Sequence, residues 1–407
     1  MNEAESKEDN IRICLIILLS GFVLSGGLLA GRAISLTISS HTVLAISNSS
    51  SPLTTSQSNK TRTYYIAADE VVWNYAPTGI NKITGKPFDD NAKEYVQSGP
   101  NRIGGMYLKS LYREYTDNTF TKLKPVPPKW QHLGILGPVI RAEVGDTIKV
   151  VFKNNLKDGV SMHPHGVFYL KNSEGAPYND SDVASSVTDK ADDSVVPGGR
   201  HIYTWLVPVR AGPGPNDPSS IVWSYHSHTN ETSDENAGLI GPIIITRQGM
   251  ANPDGSPKDV DREFVTLYMI FDENKSPYLM YNIQTYAKQP SSINKDNPMF
   301  MESNMKHSIN GYLYGNLPGL NMKEGDRVRW YVIDMGGKDD MHTAHWHGQT
   351  LLWNKMRVDV TELMPASTKT LDMVPDDPGT WLYHCHVNDH LDKGMQALFT
   401  VTPMPSA

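Results

Sequence analysis

From residue 63 onward the apolar positions recur in short runs with the period of two that a half-buried strand requires. The run 147–152, Thr-Ile-Lys-Val-Val-Phe, and the run 327–332, Arg-Val-Arg-Trp-Tyr-Val, are of this kind, while 238–246 is apolar almost throughout, with 394–402 as its counterpart. Gly, Pro, Asn and Asp separate the runs, and these are the residues that end strands and build turns. The pattern predicts short strands with many turns and an all-β fold. A different pattern opens the chain. Residues 13–31, between Arg12 and Arg32, are uncharged and mostly apolar, and a Ser/Thr/Asn-rich stretch follows them. Such a stretch has the length of a secretory hydrophobic region or of a spanning helix. The reading is a signal peptide or membrane anchor over 1–39, a flexible tether over 40–62, and a body outside the membrane in an extracytoplasmic compartment. The sequons at Asn48, Asn59, Asn179 and Asn230 are compatible with that compartment.

The landmarks of the body occur twice in the same order. The first copy has Glu143-Val144-Gly145-Asp146, then His163-Pro164-His165-Gly166, then Tyr225-His226-Ser227-His228; the second has Glu324-Gly325-Asp326, His345-Trp346-His347-Gly348 and Tyr383-His384-Cys385-His386. Repetition in order is the mark of an internal duplication. Two tandem β-sandwich domains are expected, 63–248 and 263–403, joined by the Gly/Pro/Asp-rich linker 249–262.

Composition narrows the function. The 407 residues carry 37 basic and 44 acidic side chains, a net charge of −7, with no basic run to match a nucleic acid. Only two cysteines exist, Cys14 in the N-terminal apolar run and Cys385 between two histidines, so the body contains no internal disulfide. The chain has fourteen histidines. On a strand, residues i and i+2 share a face, so each His-x-His presents two imidazoles side by side while the middle residue points the other way. Four such pairs at matching places in a duplication point to metal, though imidazole alone suits copper, zinc, iron and nickel equally. Cys385 narrows the choice. With His390 five residues on, Met395 ten residues on and His342 upstream, it completes a thiolate, two imidazoles and a thioether, the set of a blue, electron-transferring copper site. His41, His132 and His201 stand apart and read as surface or structural residues.

With these motifs in place the chain resembles the multicopper oxidases, most closely a two-domain unit of the ceruloplasmin type. The resemblance covers about 64–402. Its elements include Tyr64-Tyr65-Ile66, Gly99-Pro100-Asn101-Arg102-Ile103-Gly104, Gly238-Leu239-Ile240-Gly241-Pro242, His307-Ser308-Ile309-Asn310-Gly311, Gly315-Asn316-Leu317 and, most specific, the stretch from His384 to His390 with Met395. It implies two cupredoxin-like Greek-key sandwiches and four copper ions per chain. His342, Cys385, His390 and Met395 match the type 1 site, His163 and His345 the type 2 ligands, and His165, His226, His228, His347, His384 and His386 the type 3 pair. The first copy departs from the pattern, with Ser227 for the thiolate, Thr232 at +5 and Ala237 at +10, so it carries no type 1 site. The resemblance further implies trinuclear clusters shared between subunits, hence a homotrimer with dioxygen and a small electron donor as partners. The N-terminal segment is a route to membrane attachment.

Glu302, His307 and Asp389 match the family's iron site, which makes ferrous iron a candidate donor; phenols, cuprous ion and hydroxylamine are the alternatives. A copper nitrite reductase and a non-catalytic copper-binding sandwich are the rival classes. Asp189, Asp192 and Asp193 resemble a calcium-binding loop of the family, although an acidic surface loop reads the same way.

Overall fold

The computed structural model describes residues 60–179 and 190–404. The expected leader or anchor, the tether up to residue 59, Cys14, His41, Asn48, Asn59 and Asp189 lie outside the described residues. Among the described residues no helix is long and apolar enough to cross a membrane. Two boundaries shift. Thr61 and Arg62, expected in the tether, open the strand Thr61–Asn74, and Arg262, expected to close the linker, opens the strand Arg262–Asp272.

Four sheets make the body. The first holds five strands in the order Met106–Glu114, Thr61–Asn74, Thr147–Asn154, Arg200–Leu206, Phe168–Tyr169; the second holds Ile140–Glu143, Ile240–Thr246, Ser220–His226, His163–Pro164. The third holds six, Met305–Ile309, Arg262–Asp272, Val328–Asp334, Thr368–Met373, Leu351–Trp353, Met356–Val358; the fourth holds Asn321–Lys323, Gln396–Thr402, Gly379–Cys385, His342–Trp346, Val360–Leu363. The third and fourth sheets repeat the order of the first and second, each adding one edge strand. Even the parallel pairs recur: Thr61–Asn74 runs parallel to Thr147–Asn154, and Arg262–Asp272 to Val328–Asp334. The duplication seen in the landmarks is therefore a duplication of topology. Every ladder joins strands of the same half.

Each half closes its two sheets over its own core. Ile66, Phe152, Tyr203, Trp205 and Ile243 belong to the first, and Phe264, Trp330, Trp346, Leu371 and Phe399 to the second. A third core lies where the halves meet, and it explains the apolar run 238–246. In Arg262–Asp272, Phe264, Tyr268 and Ile270 face the second-half core, whereas Val265, Leu267, Met269 and Phe271 enter the shared one. Ile240 and Ile244 join it from the first half, while Ile243 and Ile245 turn inward. A strand buried on both faces reads as continuously apolar because neither parity meets water.

Two ion pairs lie inside this junction. The Lys109 ammonium, fully buried, donates to Glu273 Oε1 at 2.5 Å, to Asn236 O at 2.6 Å and to the Tyr75 hydroxyl at 3.0 Å. Arg141 forms a two-pronged contact with Glu263, 3.0 and 2.8 Å. His132 is fully buried there too, its Nε2 accepting the Val265 N–H at 3.0 Å.

Two outcomes follow from the junction. Glu273→Gln removes one charge and strands the Lys109 ammonium, which is expected to cost about 3–5 kcal/mol in chemical denaturation; a loss below about 1 kcal/mol would mean the pair does not hold the halves together. Burial, helped by Arg262, pushes His132 down from 6.5 to about 3, so the folded state keeps it neutral while the unfolded chain takes up a proton below 6.5. Its contribution is complete above pH 6.5 and drains away as pH falls toward 3. In the copper-free protein, His132→Gln should flatten the stability-versus-pH slope in that window by up to about 1.4 kcal/mol per pH unit, and an unchanged slope would refute the linkage.

Candidate metal centres

The strand Gly379–Cys385 lies antiparallel to His342–Trp346 with His345 opposite His384 and Ala344 opposite Cys385. This register sorts the side chains by parity. His342, Ala344, Trp346 and Cys385 point into the second-half core, and His345 and His384 share the outer face. After Cys385 the chain turns through the short helix Asn388–Asp392, which returns His390 to the core side, and Met395 follows, fully buried, its carbonyl accepting the Cys385 N–H at 3.1 Å.

Inside, three donor atoms form a small triangle. His342 Nδ1 and His390 Nδ1 are 3.0 Å apart, and each is 3.7 Å from Cys385 Sγ. One metal ion can bridge all three, and with Met395 beside them the donor chemistry fits copper. Thr343 N–H points at the sulfur, 3.5 Å away. Burial alone pushes the Cys385 thiol up, so a thiolate at this place calls for a cation next to it. His342 is fixed from behind, its Nε2 lying 3.2 Å from Asp340 Oδ1, which leaves Nδ1 free of a proton for the metal.

On the outer face His384 Nε2 lies 3.0 Å from His347 Nε2 and 3.2 Å from His345 Nδ1, with the exposed His386 ring 5.3 Å from that of His345. His384 Nδ1 donates to the Cys385 carbonyl at 2.7 Å, so the outer ligand and the inner one are joined by a hydrogen bond as well as by the chain. The first half repeats the arrangement, with His163 opposite His226 across the ladder and His165 Nε2 3.1 Å from His226 Nε2. There the His163 Nδ1 donates to Glu174 O at 2.7 Å, and the Glu235 carboxylate stands 3.0 Å from His226 Nδ1. His228 completes the set, its ring 5.3 Å from that of His163. The ring contacts run within each set of four. Burial pushes His163, His384 and His390 down to about 4 and His165 to about 3, which keeps all four neutral, lone pairs available, at ordinary pH.

The glycine of each His-x-His-Gly serves the same geometry. Gly166 and Gly348 have φ of +75° and +68°, and a Cβ would fall 2.3 Å from the Trp223 ring and 2.6 Å from the Trp381 ring. In the first half the place of the thiolate is filled by a hydrogen-bonded substitute. The buried Ser227 hydroxyl donates to Asp234 Oδ2 at 2.6 Å and accepts the Ser161 N–H at 3.1 Å, and burial pushes Asp234 up to about 6.

Beside His390 lies a cavity of about 360 Å³ whose lining includes Glu302, His307, Asp389 and Lys393, so the three donor-site candidates do come together. The His307 ring packs 5.1 Å from that of His390; it is buried, neutral because burial pushes it down to about 2, and its Nδ1 has no partner. The Tyr95 hydroxyl donates to Glu302 Oε1 at 2.9 Å. Asp192, of the acidic loop, is buried, with Oδ2 accepting Gly175 N–H at 2.7 Å and Oδ1 unpartnered, and Asp193 is also buried.

Residue motifs pass over several contributors. Asp340 and Glu235 orient imidazoles. Asp334, fully buried with both oxygens unpartnered and pushed up to about 9 by burial and by Asp340, sits as a neutral acid behind His342. Lys393 stands inside the donor cavity. Asp340 alone carried a signal, since Asp-Met-His at 340–342 places it on the face of His342.

Multicopper oxidase family models match residues 133–211 and 282–405. Human hephaestin is 46% identical over 345 residues, human Ferroxidase HEPHL1 44% over 344 and human ceruloplasmin 43% over 346. Each match takes in 84% of this chain and 29%, 29% and 32% of the relative respectively, so the chain spans about a third of the length of these proteins.

Replacing Cys385 by Ser keeps the fold's shape and removes the sulfur. Copper-loaded Cys385→Ser is expected to lose the intense blue absorption and one copper per chain while the outer-face copper stays; retention of the blue band would exclude this sulfur as the chromophore's ligand.

Proposed function

This chain belongs to the multicopper oxidase family, and we propose that it is an exported oxidase that takes single electrons at His342, Cys385, His390 and Met395 and delivers them to dioxygen at the outer-face histidines. Copper bound at these residues supplies the one-electron steps and the four-electron reduction of dioxygen to water. We assign four coppers per chain: one at the inner site, one at His163 and His345, and a pair at His165, His226, His228, His347, His384 and His386. The observation that carries the reading is the single strand that serves both centres. Cys385 faces inward, its neighbours His384 and His386 belong to the outer set, and the His384 Nδ1–H bond to the Cys385 carbonyl adds a short second route.

Each half offers four imidazoles on its own patch, and a trinuclear cluster of this family uses eight. In our reading the first-half set of one chain meets the second-half set of the next. A heterologous contact that closes on itself makes a ring, and three chains of two domains make a homotrimer. The chain's own residues then do the preparatory work. Glu174 O, Glu235 and Asp340 hold imidazoles in the tautomer that leaves a lone pair for the metal. We assign calcium to the loop of Asp189, Asp192 and Asp193, where Asp192 has a buried oxygen without a partner.

Ferrous iron is the donor we favour. Two carboxylates and a neutral imidazole suit that ion, and they line one cavity in contact with the ligand His390. The name of Ferroxidase HEPHL1, a relative at 44% identity, agrees with it. Oxygen uptake by the copper-loaded chain tests the whole reading, with ferrous iron, cuprous ion, a phenolic dye and hydroxylamine offered in turn. Iron-driven uptake is expected to fall at least about tenfold in the double variant Glu302→Gln, Asp389→Asn, a loss of about 1.4 kcal/mol or more in transition-state stabilisation, while dye oxidation persists. Equal loss with every donor would make these carboxylates scaffolding, and no uptake with any donor at four coppers per chain would end the oxidase assignment. Full oxygen reduction by an isolated monomer would end the shared-cluster assignment.

A further inference from the structure

The cavity beside His390 already holds a cation that belongs to the chain. Lys393 Nζ lies 2.7 Å from Glu302 Oε1 and 2.9 Å from Asp389 Oδ2, between the two carboxylates that a divalent ion would need. The placement is local in origin. Asp389 lies in the first turn of the short helix Asn388–Asp392, and Lys393 follows four residues later as its C-cap, so the two side chains rise on one face. Glu302 comes from the helix Pro298–Ser303 and is steadied on the same oxygen by the Tyr95 hydroxyl. The third donor, His307, is left out of this arrangement: the ammonium is spent on the two carboxylates, and His307 Nδ1 has no partner.

The ammonium is held loosely enough to leave. Its side chain is 22% exposed, and those of Glu302 and Asp389 are 41% and 65% exposed. Ion pairs with this much access to water hold weakly, and a lysine stem is flexible enough to swing into solvent. A divalent ion brings twice the charge to the same carboxylates and also engages His307, which the ammonium does not.

We propose that Lys393 is a specificity-determining residue of the donor cavity, an internal ammonium that competes with the cationic substrate for Glu302 and Asp389 and swings aside when a divalent ion enters. This rests on the reading of the cavity as the ferrous site. Lys393 then sets a threshold. Monovalent cations do not displace it, and a divalent ion does so at reduced affinity.

The test uses the copper-loaded full-length chain, so that the imidazole sites are filled, and compares wild type with Lys393→Met, Lys393→Arg and Glu302→Gln. Zinc, a redox-inert probe, is titrated by calorimetry, and KM and kcat for ferrous iron are measured with each rate normalised to dye oxidation by the same variant. Lys393→Met is expected to bind zinc about fivefold more tightly and to lower the ferrous KM by a similar factor, the scale of a weak exposed ion pair, with the change falling in KM. Lys393→Arg, which keeps the charge, should stay close to wild type. If Lys393→Met leaves zinc affinity and KM where they were, or weakens both as Glu302→Gln does, the competitor role is overturned and Lys393 is part of the scaffold. Zinc binding that Glu302→Gln abolishes and Lys393→Met does not alter overturns the competitor while keeping the ferrous site; indifference of zinc and iron to all three variants overturns both.

Discussion

Neighbouring side chains on a β-strand point to opposite faces, and the chemistry of this protein depends on that constraint at His384-Cys385-His386. One strand of a sandwich has a core side and an open side. The thiol therefore falls among buried residues with His342, His390 and Met395, while the imidazoles on either side of it, His384 buried and His386 exposed, join His345 and His347 on the outer face. Two centres with different needs are built back to back. The inner one has a buried, fixed sulfur, the outer one opens away from the core, and adjacent residues of one chain join them.

The duplication supplies the same outer face twice but the inner site once. Where Cys385 stands in the second half, Ser227 stands in the first, its hydroxyl donating to Asp234 and accepting the Ser161 N–H. A buried hydroxyl without partners would be costly, and these two bonds supply them. The two halves share topology to the level of strand order and parallel pairs, yet only the second encloses a thiol between two buried imidazoles.

The junction between the halves carries a different constraint. Arg262–Asp272 is buried on both faces, so its backbone meets no water and its flanking charges must find partners within the protein. They find them across the junction: Glu263 with Arg141 and Glu273 with Lys109. The donor cavity belongs to the same seam, since Tyr95 reaches over from the first half to Glu302.

Much of this was legible in the residues themselves. Period-two alternation, the repeated Glu-Gly-Asp and His-x-His landmarks and the Cys, His and Met spacing after residue 384 gave the strands, the duplication and the grouping of ligands, because each of these is a local property of a strand or a turn. The doubly buried strands were less clear, since a continuous apolar run does not say what covers its second face. What only the tertiary structure decided are the contacts between residues far apart in sequence: Tyr95 on Glu302, Lys109 on Glu273, Glu235 behind His226, and Lys393 between two carboxylates, one of which arrives from a distant helix. Charges pair across such separations only after the sheets have docked, and no periodicity encodes where a docked surface places them.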